Sequence, residues 1–252
     1  MVSMPSTAAT DAVPRAFARP PVDLEVILPA FNEERRLPAT VAATIDYLRG
    51  QPWSSAVVVV DNDSADRTHE VLGPFRHAPV GVYAIGCSDH GKGAAVRRGI
   101  ATSSARYVGF ADADNATPIE TLDAVMTLLA AGNTAVIASR RAPGARYEVE
   151  QSALRRSGGW VFRRLAHHAL PGVSDSQCGF KFFEGPVVRD TVRGCRVDGF
   201  AFDVEILARL LQAGHSVVEV PVNWSDVPGS TFSPGRDGLR SMADLVRISL
   251  SR

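Results

Sequence analysis

The chain has 252 residues, 45% of them hydrophobic and 21% charged, a composition able to bury a full core as one globular unit. Lysine plus arginine equals aspartate plus glutamate at 27 each, so no overall field draws it to nucleic acid, and any basic patch must be local. Three widely spaced cysteines, Cys87, Cys178 and Cys195, form no CxxC pair; this argues against a disulfide framework or a zinc site and fits a reducing cytoplasm.

Residues 1–22, rich in Ala, Pro, Ser and Thr but without an apolar stretch, read as a disordered leader and not a signal peptide. No apolar run approaches the roughly 20 residues needed to cross a bilayer. Leu24 to Pro29 reads as a strand, followed by the polar loop Ala30-Phe31-Asn32-Glu33-Glu34. Leu37, Val41, Ile45 and Leu48 recur at helical spacing, and Gly50 and Pro52 end that run. Ala56 to Val60 is too continuously apolar to be half exposed, which implies a parallel strand in a sheet covered on both faces. Ser64 or Asp63 would then cap a helix carrying Val71 and Leu72.

Val80 to Ile85 reads as a third strand, and Gly91-Lys92-Gly93 opens a helix running to Ile100. A fourth strand, Tyr107 onward, ends at Asp112. A helix marked by Ile119, Leu122, Val125, Leu128 and Leu129 precedes a fifth strand, Ala135 to Ser139. Arg140 to Ser157 reads as a mobile loop, then come a helix from Trp160 to His168, an aromatic strand at Phe180 to Phe183, and a helix from Phe202 to Gln212. A late strand, Val217 to Val222, and an amphipathic helix, Ser241 to Leu250, complete the series. Such alternation predicts an α/β domain with a mostly parallel, Rossmann-like sheet whose ligands sit beyond the carboxyl ends of the strands.

Acids gather at those ends. In an extended chain, residues two apart point the same way, so Asp112 and Asp114 can present oxygens to Mg²⁺ or Mn²⁺, which would grip a diphosphate. The plainer reading is a polar turn closing the strand. Pro29, Ala30, Asn32 and Glu33 stand where the first strand ends and can hold a base and ribose. Asp61, ending the second strand, can accept a proton from a base edge, while Asp63 would share the ribose or serve as a cap. Gly91 and Gly93 let backbone approach a phosphate, with Lys92 as a point charge at a helix start.

In order, PAFNEE, DNDSADRT, GKG and DADN resemble the family 2 glycosyltransferases of GT-A fold. DSQCGFK, FAFDVEIL and VEVPVNWSDVPGS narrow the resemblance to dolichyl- and polyprenyl-phosphate hexosyltransferases, most like the dolichyl-phosphate β-glucosyltransferases, over roughly residues 25–250. The resemblance implies metal-dependent, inverting transfer of a hexose from a UDP- or GDP-sugar, with UDP-glucose favoured. It implies that Asp112, Ala113 and Asp114 form the metal and donor motif, that Arg98 faces the nucleotide, and that Gln177, with Asp175 and Gly179, lines the sugar pocket. Ser139, Arg140 and Arg155, with Arg141, Arg146 and Arg156, would serve the acceptor phosphate, and Trp224 an acceptor-side loop. Asp203 is the candidate base, or else a helix cap. The nucleotide-binding half would span about residues 23–139 and the acceptor half about 140–252. Asn115 departs from the Gly that many relatives of this type carry, which leaves the sugar open.

Two acceptors stay open at this point. A lipid phosphate arrives ionised and needs no strong base, whereas a small-metabolite hydroxyl would require Asp203. A sugar-nucleotide-binding protein and a nucleotidyltransferase are the readings from other classes. The enzyme would be cytoplasmic; its last helix, with Leu239, Met242, Leu245, Val246, Ile248 and Leu250 among Arg240, Arg247 and Arg252, would either lie on a membrane or pack on the domain.

Overall fold

The computed structural model describes residues 19–147, 164, 166–225 and 236–250. Arg155, Arg156, most of the helix expected at Trp160 to His168 and the Pro228-Gly229-Ser230 turn lie outside them. Strands β1 (Leu24–Ala30), β2 (Ser55–Asp61), β3 (Gly81–Gly86), β4 (Tyr107–Ala111) and β5 (Ala135–Ser139) appear where the apolar runs predict them. A two-residue strand β6 (Arg146–Tyr147) precedes β7 (Phe180–Glu184), β8 (Val217–Pro221) and a short β9 (Asn223–Trp224). Seven of these form one sheet in the order β3-β2-β1-β4-β7-β5-β8, while β6 pairs with β9.

The continuous Val run of β2 has the cause its sequence implies. Val58 and Val60 point into one core with Ile27, and Val57 and Val59 into the other with Val26 and Leu28, so both sheet faces are dry. The first core is closed by α2 (Lys92–Ala101), α4 (Gly185–Gly194), α5 (Phe202–Gln212) and α6 (Arg236–Leu250). The second lies under α1 (Leu37–Leu48) and α3 (Leu122–Ala130).

Several expectations need correction. No capped α-helix carries Val71 and Leu72: Glu70–Phe75 is a 3₁₀ helix containing Pro74, without a side-chain cap, because Ser64 Oγ instead accepts from the Asn32 amide. The helix beginning at Ile119 opens as a 3₁₀ turn, Ile119–Thr121. The last helix starts at Arg236, five residues before Ser241. Arg19, assigned by composition to the leader, is bound to the fold through Glu25 at 2.9 Å and the Thr102 carbonyl at 3.0 Å.

The aromatic strand β7 runs antiparallel to both its neighbours, β4 and β5. Gly109 makes that pairing close: a Cβ there would lie 2.2 Å from Phe182 Cδ1 and 2.4 Å from the Lys181 carbonyl oxygen. Neither backbone nor a ring wedged in the core can yield that much. Gly109→Ala is therefore expected to cost about 2 kcal/mol or more, read as a lowered urea midpoint with an unchanged slope.

Candidate active site

Strand ends β1, β2 and β4 and the start of α2 open onto a cleft of ≈ 510 Å³. Its lining includes Pro29, Ala30, Glu33, Gly91, Lys92, Asp112 and Asp114, all expected there, together with Phe31, Arg36, Asn62, His90, Phe200, Arg240 and Ser241. Phe31 and Asn62 fall within the PAFNEE and DNDSADRT segments without being singled out there; Arg36, His90, Phe200, Arg240 and Ser241 arrive from loops and from α6, and the fold brings them together.

Asp112 and Asp114 sit at the heart of the cleft, but not on an extended chain as alternation predicts. Strand β4 stops at Ala111, residues 113–114 form a turn, and Asn115 closes it at φ 57°. Asp112 is seated by Gly179, whose added Cβ would fall 1.9 Å from Asp112 Oδ2, and its amide donates to the Gly179 carbonyl at 2.9 Å. Thus Gly179 is required as the space into which the carboxylate fits. Ala113 is buried, its carbonyl accepting from Thr40 Oγ1 at 2.7 Å.

The two carboxylates feel one another. Burial, then the charge of Asp112, pushes the Asp114 carboxyl above the usual range, against the Ala116 amide, Arg36 and Lys92. Lys92 Nζ lies 2.7 Å from Asp112 Oδ1 and 5.6 Å from the Phe110 ring centre. Burial alone would lower its ammonium, but the charges of Asp112 and Asp203 outweigh that and hold it above the usual lysine range. Arg36 stands 4.0 Å from Asp114 Oδ2 and is itself gripped by Glu33 through Nε at 2.7 Å and through Nη2. Two partly exposed carboxylates this close, one of them held above the usual range, suit a hard divalent cation whose remaining ligands come from phosphate oxygens and water. Among the described residues, no cluster of three or more His, Cys, Asp or Glu could hold a metal by protein ligands alone.

The GKG turn works differently from its reading. Gly91 donates its amide to Asn62 Oδ1 at 2.8 Å, and the Gly93 and Ala94 amides both reach the Asp198 carbonyl, at 2.8 and 3.2 Å. Three amides at this helix start are thereby spent on protein. Gly91, at φ 125°, would place a Cβ 2.2 Å from that same carbonyl, so the glycines serve the approach of the 198–199 segment.

Other expected residues are placed elsewhere. Asn32, at φ 55°, accepts from the Ala65 amide at 2.8 Å and ties the loops after β1 and β2 together. Asp61 accepts from the Ser64 amide at 3.2 Å, and Asp63, at φ 61°, is exposed. Arg98 is exposed and borders a different cavity with Cys87, Arg97 and Cys195, facing away from the cleft. Ser139 is fully buried, its Oγ accepting from the Arg141 and Ala142 amides, so it shapes the turn. Asp203 is neither a cap nor lining: it is buried 2.8 Å from Lys181 Nζ, and α5 is N-capped by Ala201 with no side-chain bond. Glu205 is buried too, accepting from the Arg196 and Val197 amides.

On the acceptor side, Arg140 grips Asp175 through Nε at 2.6 Å and Nη2 at 2.8 Å, and lies 5.4 Å from the centre of the half-buried Trp224 ring. Burial alone would raise the Asp175 carboxyl, but Arg140 holds it down at about 2. Gln177 is adjacent, its Nε2 buried without a hydrogen-bond partner among the described residues.

A mostly parallel sheet with a two-carboxylate, lysine-flanked cleft at its carboxyl edge defines a GT-A nucleotide-sugar transferase. The Glycosyl transferase family 2 profile matches residues 25–192, and the chain belongs to that family. It is 30% identical to the dolichyl-phosphate beta-glucosyltransferase of Mus musculus, covering 95% of this chain and 79% of the relative. To that of Drosophila melanogaster it is 31% identical, covering 97% and 79%. Glucosyl-3-phosphoglycerate synthase from Mycobacterium tuberculosis, solved with Mn²⁺, uridine diphosphate and phosphoglyceric acid, shares the fold at TM-score 0.67 and 20% identity, over 90% of this chain and 78% of that one. The same enzyme has been solved with Mg²⁺ and uridine diphosphate.

Two outcomes follow from the charges. Because the folded carboxyl of Asp114 is raised, its ionisation at neutral pH opposes the metal-free fold. Asp114→Asn should therefore keep or slightly raise the thermal midpoint without metal, while abolishing the upward shift that Mn²⁺ gives the unaltered protein. Asp175 has the opposite sign: its stabilisation is full above the ordinary aspartate range near pH 4 and is lost as pH falls through about 2. Asp175→Asn should remove that acid dependence and cost about 2–4 kcal/mol in denaturant unfolding.

Proposed function

We propose that the protein transfers glucose from UDP-glucose onto a polyprenyl- or dolichyl-type lipid phosphate, with inversion at the anomeric carbon, at a cytoplasmic membrane surface. The observation that carries the acceptor assignment is the commitment of the carboxylates that line the cleft. Among the described residues Glu33 is bound to Arg36 and Asp112 to Lys92, Asp203 behind them is bound to Lys181, and Asp114 is the second acid of the metal pair, so none of these four is left to deprotonate a hydroxyl. An ionised phosphate acceptor needs no such group. The names of the relatives agree with this acceptor.

Asp112 and Asp114 would hold Mg²⁺ or Mn²⁺, which when bound supplies charge neutralisation to the departing nucleoside diphosphate. Lys92 adds a fixed positive charge beside the same oxygens, and Arg36 keeps Asp114 oriented. Pro29, Ala30 and Glu33 border the space for base and ribose, and the unpartnered Gln177 amide suits a sugar hydroxyl. A phosphate oxygen of the acceptor attacks the anomeric carbon; the bond from that carbon to the diphosphate oxygen breaks, and its electron pair leaves with UDP. No proton need move. Arg140 and Trp224 would guide the acceptor from the half of the chain after residue 139, with Arg140 shaped by Asp175 rather than free to act as a phosphate fork.

The test is UDP release from UDP-glucose with Mn²⁺ or Mg²⁺, with and without a polyprenyl phosphate. Release should require both metal and lipid phosphate, and Asp114→Ala should lower kcat/KM by at least about a hundredfold. Turnover only with a soluble hydroxyl acceptor, abolished by His90→Gln, would replace the lipid reading with one in which the cleft's His90 is the base. Pyrophosphate in place of UDP would mean nucleotidyl transfer.

A further inference from the structure

Helix α6 has two apolar faces. Leu245 and Ile248 are buried in the core against α5, with Ser241 and Asp244 beside them. On the opposite side Leu239, Val246 and Leu250 are 75%, 50% and 79% exposed. At 3.6 residues per turn these three and Ala243 fall within an arc of about 60°, a stripe about 16 Å long. Arg240 and Arg247 both lie about 80–100° round the helix from Leu239, on the same side; Arg247 is 80% exposed despite its 3.4 Å approach to Asp244. Leu239, Val246 and Leu250 are three of the four large hydrophobic side chains exposed among the described residues. The fourth, Phe31, lines the cleft, as do Arg240 and Ser241 of this same helix.

We propose that this outward face of α6 lies in the interfacial layer of an anionic bilayer, with Leu239, Val246 and Leu250 inserted and Arg247 at the headgroups. A helix with an apolar stripe edged by arginine suits that position. A second copy of the chain fits less well: one stripe buries a few hundred Å², short of the roughly 800 Å² per partner of a stable interface, and a two-fold contact would bring like-charged arginines together. Arg240 and Ser241 turn from this face into the cleft, so docking would set the cleft's mouth at the depth of a lipid phosphate. The inference rests on the lipid-acceptor reading for its purpose, not for its geometry.

The experiment is flotation of the full chain with vesicles of phosphatidylcholine alone or with about one third phosphatidylglycerol. The unaltered protein should partition onto the anionic vesicles and release as salt rises. Leu239→Ser/Val246→Ser/Leu250→Ser should lower that partition at least about tenfold while leaving turnover of a short, water-soluble isoprenyl phosphate unchanged. Arg247→Gln, at an exposed position, should lower it about fivefold on anionic vesicles and not at all on neutral ones, and tests the inference even if the triple variant misfolds. Vesicle binding that neither variant alters overturns the proposal; so does an unaltered protein that ignores vesicles, or a stripe whose only loss is self-association. If docking behaves as expected but no isoprenyl phosphate accepts glucose, the docking face stands and the acceptor reading fails.

Discussion

One run of alternating charge organises this protein. It leads from Glu33 through Arg36 to Asp114 at the cleft, and from Asp112 through Lys92 to Asp203 and Lys181 in the core. Four carboxylates, Glu33, Asp114, Asp112 and Asp203, face three cations, Arg36, Lys92 and Lys181, so the run carries one surplus negative charge. The excess is concentrated where two acids adjoin, between the two basic side chains. A divalent cation there turns the surplus into a single positive charge, which a nucleoside diphosphate can neutralise. In the proposed reaction, affinity for metal and affinity for donor would thus be two sides of one imbalance, anchored from below by the core pair of Lys181 and Asp203.

The supports of that run come from backbone as much as from side chains. Gly179 vacates the space that Asp112 occupies, and Asp198 offers its carbonyl to the first amides of α2. Glu205 holds the two residues preceding Asp198 by their amides. The start of α2, and with it Lys92, is consequently held by residues 196–205, far later in the chain. Three of the amides at a helix start that would usually attract an anion are thereby turned to protein acceptors.

The sequence made some of this legible and hid the rest for physical reasons. Strand ends were visible because Val57 to Val60 must be dry on both sides and then stop at an acid. The cleft acids followed from that punctuation. Strand β7 showed its apolar aromatics but not its direction, since local residues do not encode whether a neighbour runs parallel. Helix α4 escaped notice because only Val188 and Val192 of its side chains are buried, with glycine at both ends. Asp203 read as a base because its partner, Lys181, lies 22 residues earlier on another element. Arg98 read as a ligand through the family resemblance alone; the structure leaves it exposed on another cavity, while its neighbour Arg97 pairs with Asp198 at 2.5 Å.

Strand β7 also governs the order of assembly. In the sheet, β5 and β8 connect to β4 only through it, yet it is made about 40 residues after β5. During synthesis at about 5–20 residues per second, β5 therefore emerges with an unpaired edge and waits a few seconds before its template exists. Strands β2, β3 and β4 each emerge with a sheet neighbour already made, and β1 waits only the 24 residues between Ala30 and Ser55 for its first. The chain after β4 is hence the part of the nascent protein most open to mispairing and most dependent on chaperone shelter, a vulnerability set by topology and independent of how stable the finished enzyme is.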